Sequence, residues 1–402
     1  MTDAGKRRIE IGLVLQGGGA LGAYEWGALD ALLELMEGAR RDGHEVVLRG
    51  VTGVSIGAIN AACLVGSANF ADARRRLGDL WSGFAAGATL PWVPWPFARD
   101  IVFFGLRGFY YPRTDLWNAA SWTYIYKTRP LIGTLERHVD FIALNASETG
   151  FVVTAVNVET GELTRFRNKA SMEFHAKSPG KHAPAADPPA AIAPVHILAS
   201  GSLAPQFPWT HIGNARYWDG GMVDNTPLGD AIESFSDFPD TERLLVVMNL
   251  YPLRGSVPGN MFEVLDRVHE LAMGNRLRQD HESAERINKF VDTVDQLAAL
   301  IEADRGSVPE EVARAVREIR RYKFVNIVNL DFQDEGGGTQ LPSDDAGGLR
   351  DFSVATVETR RKRGAEKVSK STLPAVFAGT AAVESSAARR SNIMKPPASP
   401  GG

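Results

Sequence analysis

Two similar segments lie near the start of the chain: IEIGLVLQGGGALG at residues 9–22 and VVLRGVTGVSIG at residues 46–57. Each begins with an apolar run that is typical of a buried strand and then reaches a glycine-rich turn. Apolar residues at helical spacing follow both turns, over residues 20–37 and 56–66. Two successive strand, turn and helix units predict an α/β fold, with a mostly parallel sheet covered by helices on both faces.

The rest of the chain carries further strand and helix patterns. Short apolar runs bounded by turn residues predict four more strands, at residues 150–158, 195–199, 244–250 and 324–330. Charged amphipathic patterns predict helices within residues 261–322 and at 352–366. The C-terminal part is therefore expected to be mostly helical with a few strands.

Composition limits the classes of partner. The chain has 402 residues, of which 44% are hydrophobic and 23% charged, so a large core can be buried. Its net charge is -4, and its basic residues are mixed with acidic ones rather than gathered in one block. Because nucleic acids are bound through concentrated positive charge, we expect no nucleic-acid partner.

The cysteine content and the lengths of the apolar runs indicate the cellular compartment of the protein. Cys63 is the only cysteine, which excludes an intramolecular disulfide and a multi-thiolate metal site. The apolar run at residues 9–15 is short for a signal peptide. No run approaches the roughly 18 apolar residues of a membrane-spanning helix. These features predict a cytoplasmic protein.

The pentapeptide GVSIG contains Ser55 and lies between a predicted strand and a predicted helix. A G-x-S-x-G motif in this position typically forms a nucleophile elbow, in which the serine occupies a sharp, strained turn. Gly53 and Gly57 fit such a turn, because side chains there would collide with the neighbouring strand and helix. Ser55 is therefore the candidate nucleophile. A chance match in a chain with 40 glycines is the alternative.

The first glycine turn has two interpretations. It matches G-x-G-x-x-G and ends at Gly22, so it could bind a dinucleotide pyrophosphate at a helix N-terminus. Alternatively, the amides of Gly17, Gly18 and Gly19 form an oxyanion hole beside Ser55. The second interpretation is favoured, because the next strand runs into the serine turn rather than ending in the acid that a dinucleotide site requires. A dinucleotide-dependent enzyme remains the alternative.

The tetrapeptide WDGG contains Asp219 followed by Gly220 and Gly221. By itself this is a turn signature, but a serine nucleophile also needs a base. His269 and His281 are the only histidines after it, and both lie in charged helical sequence without a motif. A carboxylate serves as the base if desolvation raises its pKa above the usual value of about 3.9. Asp219 is therefore the candidate base.

In this order, the glycine turn, the Ser55 elbow and the Asp219 turn resemble the three sequence blocks of the patatin-like phospholipase family. The flanking sequence agrees with this resemblance at LVLQ (13–16), AY (23–24), IGAINA (56–61), ASG (199–201) and DNTPL (224–228). The resemblance covers residues 9–232, which we predict to be an acyl hydrolase domain. Residues 233–370 resemble the C-terminal extension of one bacterial branch of the family, and residues 371–402 are predicted to be disordered.

The resemblance implies a Ser55–Asp219 dyad that forms an acyl-enzyme intermediate, with the glycine turn as oxyanion hole and neither metal nor cofactor. The implied substrate is an acyl ester of a lipid or phospholipid. One departure is Leu21, which stands where many members carry Arg or Lys. A cationic contribution from that position is therefore absent. A catalytically silent lipid-binding protein that keeps the fold is a further alternative.

The stretch at residues 81–126 is unusually aromatic and is broken by prolines. One interpretation is a lid or lipid-facing wall, since Trp and Tyr favour membrane interfaces. It implies peripheral contact with a membrane. The other interpretation is an ordinary buried insert.

Overall fold

A computed structural model describes residues 6–87, 105–177, 191–238, 241–251, 324–332 and 348–380, with short groups between 257 and 314. We refer to these as the described residues. Among them, no helix combines the length and the apolar character needed to cross a membrane.

The described residues contain ten strands: β1 (Arg8–Leu15), β2 (Glu45–Gly53), β3 (Tyr111–Pro112), β4 (Tyr126–Lys127), β5 (Gly150–Asn157), β6 (Leu163–Arg167), β7 (Thr210–Ile212), β8 (Ala215–Asp219), β9 (Thr241–Asn249) and β10 (Asn326–Asp331). The α-helices whose bounds lie in the described residues are α1 (Gly22–Arg41), α2 (Ile56–Val65), α3 (Phe70–Gly87), α4 (Pro130–His138), α5 (Phe141–Ala146), α6 (Lys169–Lys177), α7 (Pro194–Ser200), α8 (Leu228–Ile232), α9 (Val354–Lys370) and α10 (Leu373–Phe377). Short helical groups also occur between residues 264 and 312.

The main sheet has eight strands in the order β10-β9-β1-β2-β5-β8-β7, and β6 pairs with β5 outside this path. The strands from β10 to β5 pair in parallel, whereas β6, β7 and β8 pair antiparallel. Helices flank this sheet. The predicted α/β fold with a mostly parallel sheet is therefore confirmed.

Strand β1 shows why both faces of the sheet are covered. Ile11 and Leu13 are fully buried in the large core cluster, which includes residues of α1, α2 and α3. Val14 points the other way and packs with Leu228 and Phe235 in a second cluster beside α8. A strand buried on both sides needs a continuous apolar sequence rather than an alternating one, and β1 has such a sequence over residues 11–15.

The predicted strand at residues 195–199 is wrong, because this segment is helix α7. Pro194 lies in the first turn of α7, where its missing N–H breaks no helical hydrogen bond. The His196 side chain accepts a hydrogen bond from the Ala193 amide at 2.9 Å, which caps the start of the helix. A short apolar run does not by itself distinguish a strand from a buried helix.

The predicted disordered tail begins too early. Residues 371–380 include helix α10, in which Leu373, Val376 and Phe377 are buried in the main core cluster. The structure therefore differs from the prediction for these residues. Residues 381–402 lie outside the described residues.

Residues beyond 232 contribute to the same sheet as those before it. Strand β9 pairs in parallel with the whole length of β1, from Arg8 opposite Thr241 to Leu15 opposite Met248. Strand β10 extends the sheet beyond β9. The proposed division at residue 232 therefore marks the end of a sequence resemblance and not an edge of the sheet.

Helices α1 and α9 cross in close contact through two glycines. A Cβ atom on Gly27 would lie 1.8 Å from the Arg361 carbonyl oxygen, and one on Gly364 would lie 2.0 Å from the Tyr24 carbonyl oxygen. Both distances are far below van der Waals contact. Because Gly27 and Gly364 have no side chains, the backbones of α1 and α9 can approach this closely.

Gly27→Ala is expected to destabilise the protein by about 1–3 kcal/mol or more, because the added methyl group must push the two helix backbones apart. Gly38→Ala is the matched control in the same helix. A Cβ atom there would meet only the Arg41 side chain at 3.9 Å. Since alanine favours helix over glycine, the control should be neutral or slightly stabilising. Equal melting temperatures for the two variants would contradict the close crossing.

Candidate active site

Ser55 occupies a strained turn between β2 and α2. Its backbone has φ 54° and ψ −120°, and among the described residues it is the only non-glycine residue with a positive φ. The Ser55 amide donates a hydrogen bond to the Ser200 hydroxyl oxygen at 2.9 Å. Strained residues of this kind persist where the surrounding structure holds them, and they cluster at functional sites. The sharp, strained turn predicted at Ser55 is therefore present.

Gly53 and Gly57 are required in the elbow because no side chain fits at either position. A Cβ atom on Gly53 would lie 2.6 Å from the Gly57 carbonyl oxygen. A Cβ atom on Gly57 would lie 2.4 Å from the Leu15 carbonyl oxygen. The predicted collisions with the neighbouring helix and strand are confirmed, and they explain both flanking positions of the motif.

Asp219 ends strand β8 and faces Ser55. Asp219 is 3% exposed, and its carboxyl accepts a hydrogen bond from the Gly221 amide at 2.8 Å. The Ser55 hydroxyl lies close enough to this carboxyl to stabilise its ionised form through hydrogen bonding. A Cβ atom on Gly220 would lie 2.4 Å from the Thr154 hydroxyl oxygen, so the turn after Asp219 packs tightly on β5. The nucleophile and base candidates, which are distant in sequence, are therefore neighbours in the same cavity.

Burial raises the pKa of Asp219 from its ordinary value of 3.8 to about 7. The hydrogen bonds from Ser55 and from the Gly221 amide act in the opposite direction, because they stabilise the ionised carboxylate. A carboxylate with a pKa near neutrality can both take and return a proton at neutral pH.

The first glycine turn lies against Ser55. A Cβ atom on Gly17 would lie 2.8 Å from the Ser55 Cβ atom, so only glycine leaves room for the elbow. At the far end of the turn, a Cβ atom on Gly22 would lie 2.6 Å from Cγ1 of Ile56. This contact with the elbow agrees with the oxyanion interpretation of the turn.

The Gly17 amide is already occupied. It donates to the Asn225 side-chain oxygen at 2.9 Å, and the Asn225 amide group donates back to the Gly17 carbonyl oxygen at 3.2 Å. Gly18 and Gly19 have no hydrogen-bond acceptor for their amides within the described residues, and both line the cavity that contains Ser55. The structure therefore differs from the prediction for Gly17 and leaves Gly18 and Gly19 as the candidate oxyanion donors.

Buried polar side chains that the sequence analysis missed hold the glycine turn in place. Gln16 donates to the Thr226 hydroxyl oxygen at 2.7 Å and accepts from the Leu250 amide at 2.9 Å. Asn225 fixes Gly17 in the same region. These residues appeared in the sequence only as flanks of motifs. Their roles depend on partners more than 200 residues away.

A second buried network lies behind the turn. Asn60 donates to the Gly22 carbonyl oxygen at 3.1 Å and to the Glu25 carboxyl at 2.9 Å. Its own side-chain oxygen accepts from the Trp81 indole at 2.9 Å. Burial raises the pKa of Glu25 well above its ordinary range, which favours the neutral acid. Helices α1, α2 and α3 are thereby tied together beneath the site.

A cavity of about 720 Å³ opens in front of Ser55. Ser55, Asp219, Gly221 and residues 17–19 line it, whereas the other motif glycines lie behind it as packing positions. Most of the remaining lining is apolar and aromatic, including Ile59, Phe109, Tyr126, Leu203, Phe207 and Phe352. A cavity of this size and character can take a fatty acyl chain.

The aromatic stretch contributes part of this wall through Phe109, Tyr110 and Tyr126. Residues 88–104 of the stretch lie outside the described residues, as do His269 and His281. Across the described parts of the chain, no group of three or more His, Cys, Asp or Glu side chains is arranged to hold a metal ion.

Two comparisons with known proteins found similarity to this chain. The sequence model of the patatin-like phospholipase family matches residues 13–232, which is more than half of the chain. Among solved structures, VipD from Legionella pneumophila is similar with a TM-score of 0.37 and 14% identity, covering 93% of this chain and 68% of VipD. No curated protein matches the chain.

Asp219→Asn is expected to stabilise the protein against unfolding, and increasingly so as the pH rises from about 4 to about 7. The folded-state pKa of Asp219 lies above its ordinary value, so wild-type folding loses stability over this interval as the unfolded chain ionises first. Asparagine does not ionise and avoids this loss. Thermal denaturation of both proteins at several pH values measures the difference, and a pH-independent difference would contradict the raised pKa.

Asp230→Asn is a control with the opposite sign. Asp230 is also buried, and although burial raises its pKa, Arg167 and Arg165 lower it overall. At pH values above the ordinary pKa of an aspartate, the ionised form of Asp230 therefore stabilises the fold. This stabilisation is lost as the pH falls through the lowered pKa of the folded state. This substitution should destabilise the protein at neutral pH.

Proposed function

Since this chain belongs to the patatin-like phospholipase family, we propose that it hydrolyses acyl ester bonds of lipids, with Ser55 as nucleophile and Asp219 as base. The observation that carries the proposal is the strained Ser55 beside a buried carboxyl whose pKa burial raises to about 7. A nucleophile needs an adjacent base to activate it, and these two side chains meet that requirement without a histidine.

In the first half of the proposed reaction, the Ser55 oxygen attacks the ester carbonyl while its proton passes to Asp219. The Gly18 and Gly19 amides stabilise the negative charge that develops on the carbonyl oxygen. Removing one such donor typically costs about a hundredfold or more in rate. When the bond to the alcohol breaks, Asp219 returns the proton to the leaving oxygen, and the acyl group remains on Ser55.

In the second half, a water molecule attacks the acyl carbon and gives a proton to Asp219. The bond to the Ser55 oxygen then breaks, the proton returns to that oxygen, and a carboxylic acid leaves. Asp219 therefore takes and releases a proton twice in each cycle. A pKa of about 7 suits both directions of transfer at neutral pH.

Lipid substrates are supported by the apolar cavity and by the surface beside it. Ile125 lines the cavity and is 44% exposed. Leu116 and Trp117, in the 3-10 helix between β3 and β4, are also strongly exposed. Exposed apolar side chains in the β3–β4 segment, which also supplies Ile125 to the cavity wall, fit peripheral contact with a membrane surface. We propose a cytoplasmic enzyme that meets its lipid or phospholipid ester there.

Ser55→Ala and Asp219→Asn should each lower the turnover of p-nitrophenyl esters at least about a thousandfold, since each removes one member of a unit that acts together. Ser55→Ala should also abolish labelling by a fluorophosphonate probe. His269→Ala and His281→Ala should retain near wild-type turnover. Initial rates and probe labelling of the four variants measure these effects.

Ser121→Ala, at an exposed serine outside the cavity, is the control for probe specificity and should label like wild type. Collapse of activity in either histidine variant, at an unchanged melting temperature, would replace the dyad with a Ser, Asp, His triad. Lipid binding without any labelling of Ser55 would indicate a catalytically silent lipid-binding protein instead.

Leu203→Ala should weaken the preference for long acyl chains, because Leu203 lines the apolar cavity. Wild-type kcat/KM should rise with chain length, by at most about 0.8 kcal/mol for each buried methylene. Ile142→Ala, at a residue 85% exposed on α5 and outside the cavity, should leave the profile unchanged. A series of p-nitrophenyl esters from acetate to decanoate measures the slope, and a flat wild-type profile would refute the acyl-chain cavity.

A further inference from the structure

The cavity has one cationic lining residue among those described, Arg350. Asp219 is its one acidic lining residue. Arg350 lies close enough to the Tyr110 and Tyr126 phenols to oppose the rise in pKa that burial causes in both. It is half-buried, which places its positive charge at a partly desolvated cavity wall rather than in bulk water.

The backbone beside Arg350 is held by its neighbours. The Leu349 carbonyl oxygen lies so near Gly19 that a Cβ atom there would be 2.5 Å from it. On the other side, Phe352 is buried and stacks on Trp81 with ring centroids 6.1 Å apart. The guanidinium group is therefore carried by a segment that is anchored to the oxyanion turn and to the aromatic core.

The residue next to Arg350 is an acid, Asp351, whose carboxylate binds groups near the start of helix α9. The Asp351 carboxylate accepts hydrogen bonds from the Ser353 amide at 2.9 Å and from the Thr356 hydroxyl at 2.7 Å. These bonds hold the turn that leads into helix α9. This arrangement fixes the direction of the chain between Arg350 and α9.

The glycine turn itself offers no cation. Leu21 is 6% exposed and packs in an apolar cluster with Leu250, Tyr251 and Leu349. The positive charge at the cavity comes instead from residue 350, well beyond the segment matched by the family model. A guanidinium group carries five N–H donors and binds phosphate oxygens in pairs, with more geometric specificity than an ammonium.

We propose that Arg350 binds the phosphate of a phospholipid substrate and makes the enzyme selective for phosphate-bearing lipid esters over neutral ones. The proposal rests on the acyl hydrolase function proposed above. It also gives the C-terminal part of the chain a role in substrate selection, because residues 349, 350 and 352 complete the cavity wall.

The test compares dioleoyl phosphatidylglycerol with dioleoylglycerol, which has the same acyl chains and no phosphate, in micelles of a neutral detergent. Arg350→Gln should lower the ratio of kcat/KM for the two lipids about tenfold or more, mainly through the phospholipid. Arg350→Lys keeps the charge but loses the paired donors, and it should lower the ratio by about threefold. Arg75→Gln, which removes an exposed charge on α3, should leave the ratio unchanged.

Several outcomes would overturn the proposal. These are an equal loss on both lipids in Arg350→Gln, an unchanged ratio, or an equal fall in Arg350→Lys and Arg350→Gln. Melting temperatures of all variants identify a fold defect. If Arg350→Gln is destabilised, the ratio of kcat/KM for the two lipids in Arg350→Lys decides for or against the proposal. If neither lipid nor any p-nitrophenyl ester is hydrolysed by wild type, the acyl hydrolase function itself fails and this inference with it.

Sodium phosphate, at constant ionic strength, separates a lipid phosphate from free phosphate. Weak inhibition of dioleoylglycerol hydrolysis, relieved in Arg350→Gln together with loss of the lipid ratio, supports a site for the lipid phosphate. Strong inhibition by free phosphate that depends on Arg350, with an unchanged lipid ratio, would assign the site to free phosphate and overturn the lipid proposal.

Discussion

The strained backbone at Ser55 is the constraint on which the rest of the site depends. A non-glycine residue held at φ 54° costs of order 1–3 kcal/mol and persists only when its surroundings impose it. Here those surroundings are Gly53 and Gly57, which leave space for the turn, and Ser200, whose hydroxyl accepts the Ser55 amide. Gly17 must also lack a side chain, because the elbow lies directly against it.

Two buried aspartates show how the same fold sets opposite proton affinities. Asp219 has a hydroxyl and one backbone amide as partners, so desolvation dominates and its pKa rises to about 7. Asp230 is equally buried, but Arg165 and Arg167 bind both of its oxygens and its pKa falls. The difference lies in neighbouring charge rather than in burial. Asp219, whose pKa no described cation lowers appreciably, is the one suited to transfer protons.

The C-terminal part of the chain is built into both the sheet and the cavity. Strand β9 pairs with β1 on the side opposite β2, and α9 crosses α1 at paired glycines. The segment around Arg350 then reaches the first glycine turn through Leu349. The wall that faces Ser55 is therefore made from both ends of the chain. Residues that the family match does not include therefore form part of this wall.

The sequence by itself determined the α/β class, the elbow at Ser55 and the turn at Asp219, because these depend on local apolar runs and on glycines a few residues apart. It missed the helical state of residues 195–199, the occupied amide of Gly17 and the placement of Arg350. Each of these depends on a partner distant in sequence or on packing against the sheet. Local pattern carries no information about such contacts, so only the tertiary structure decided them.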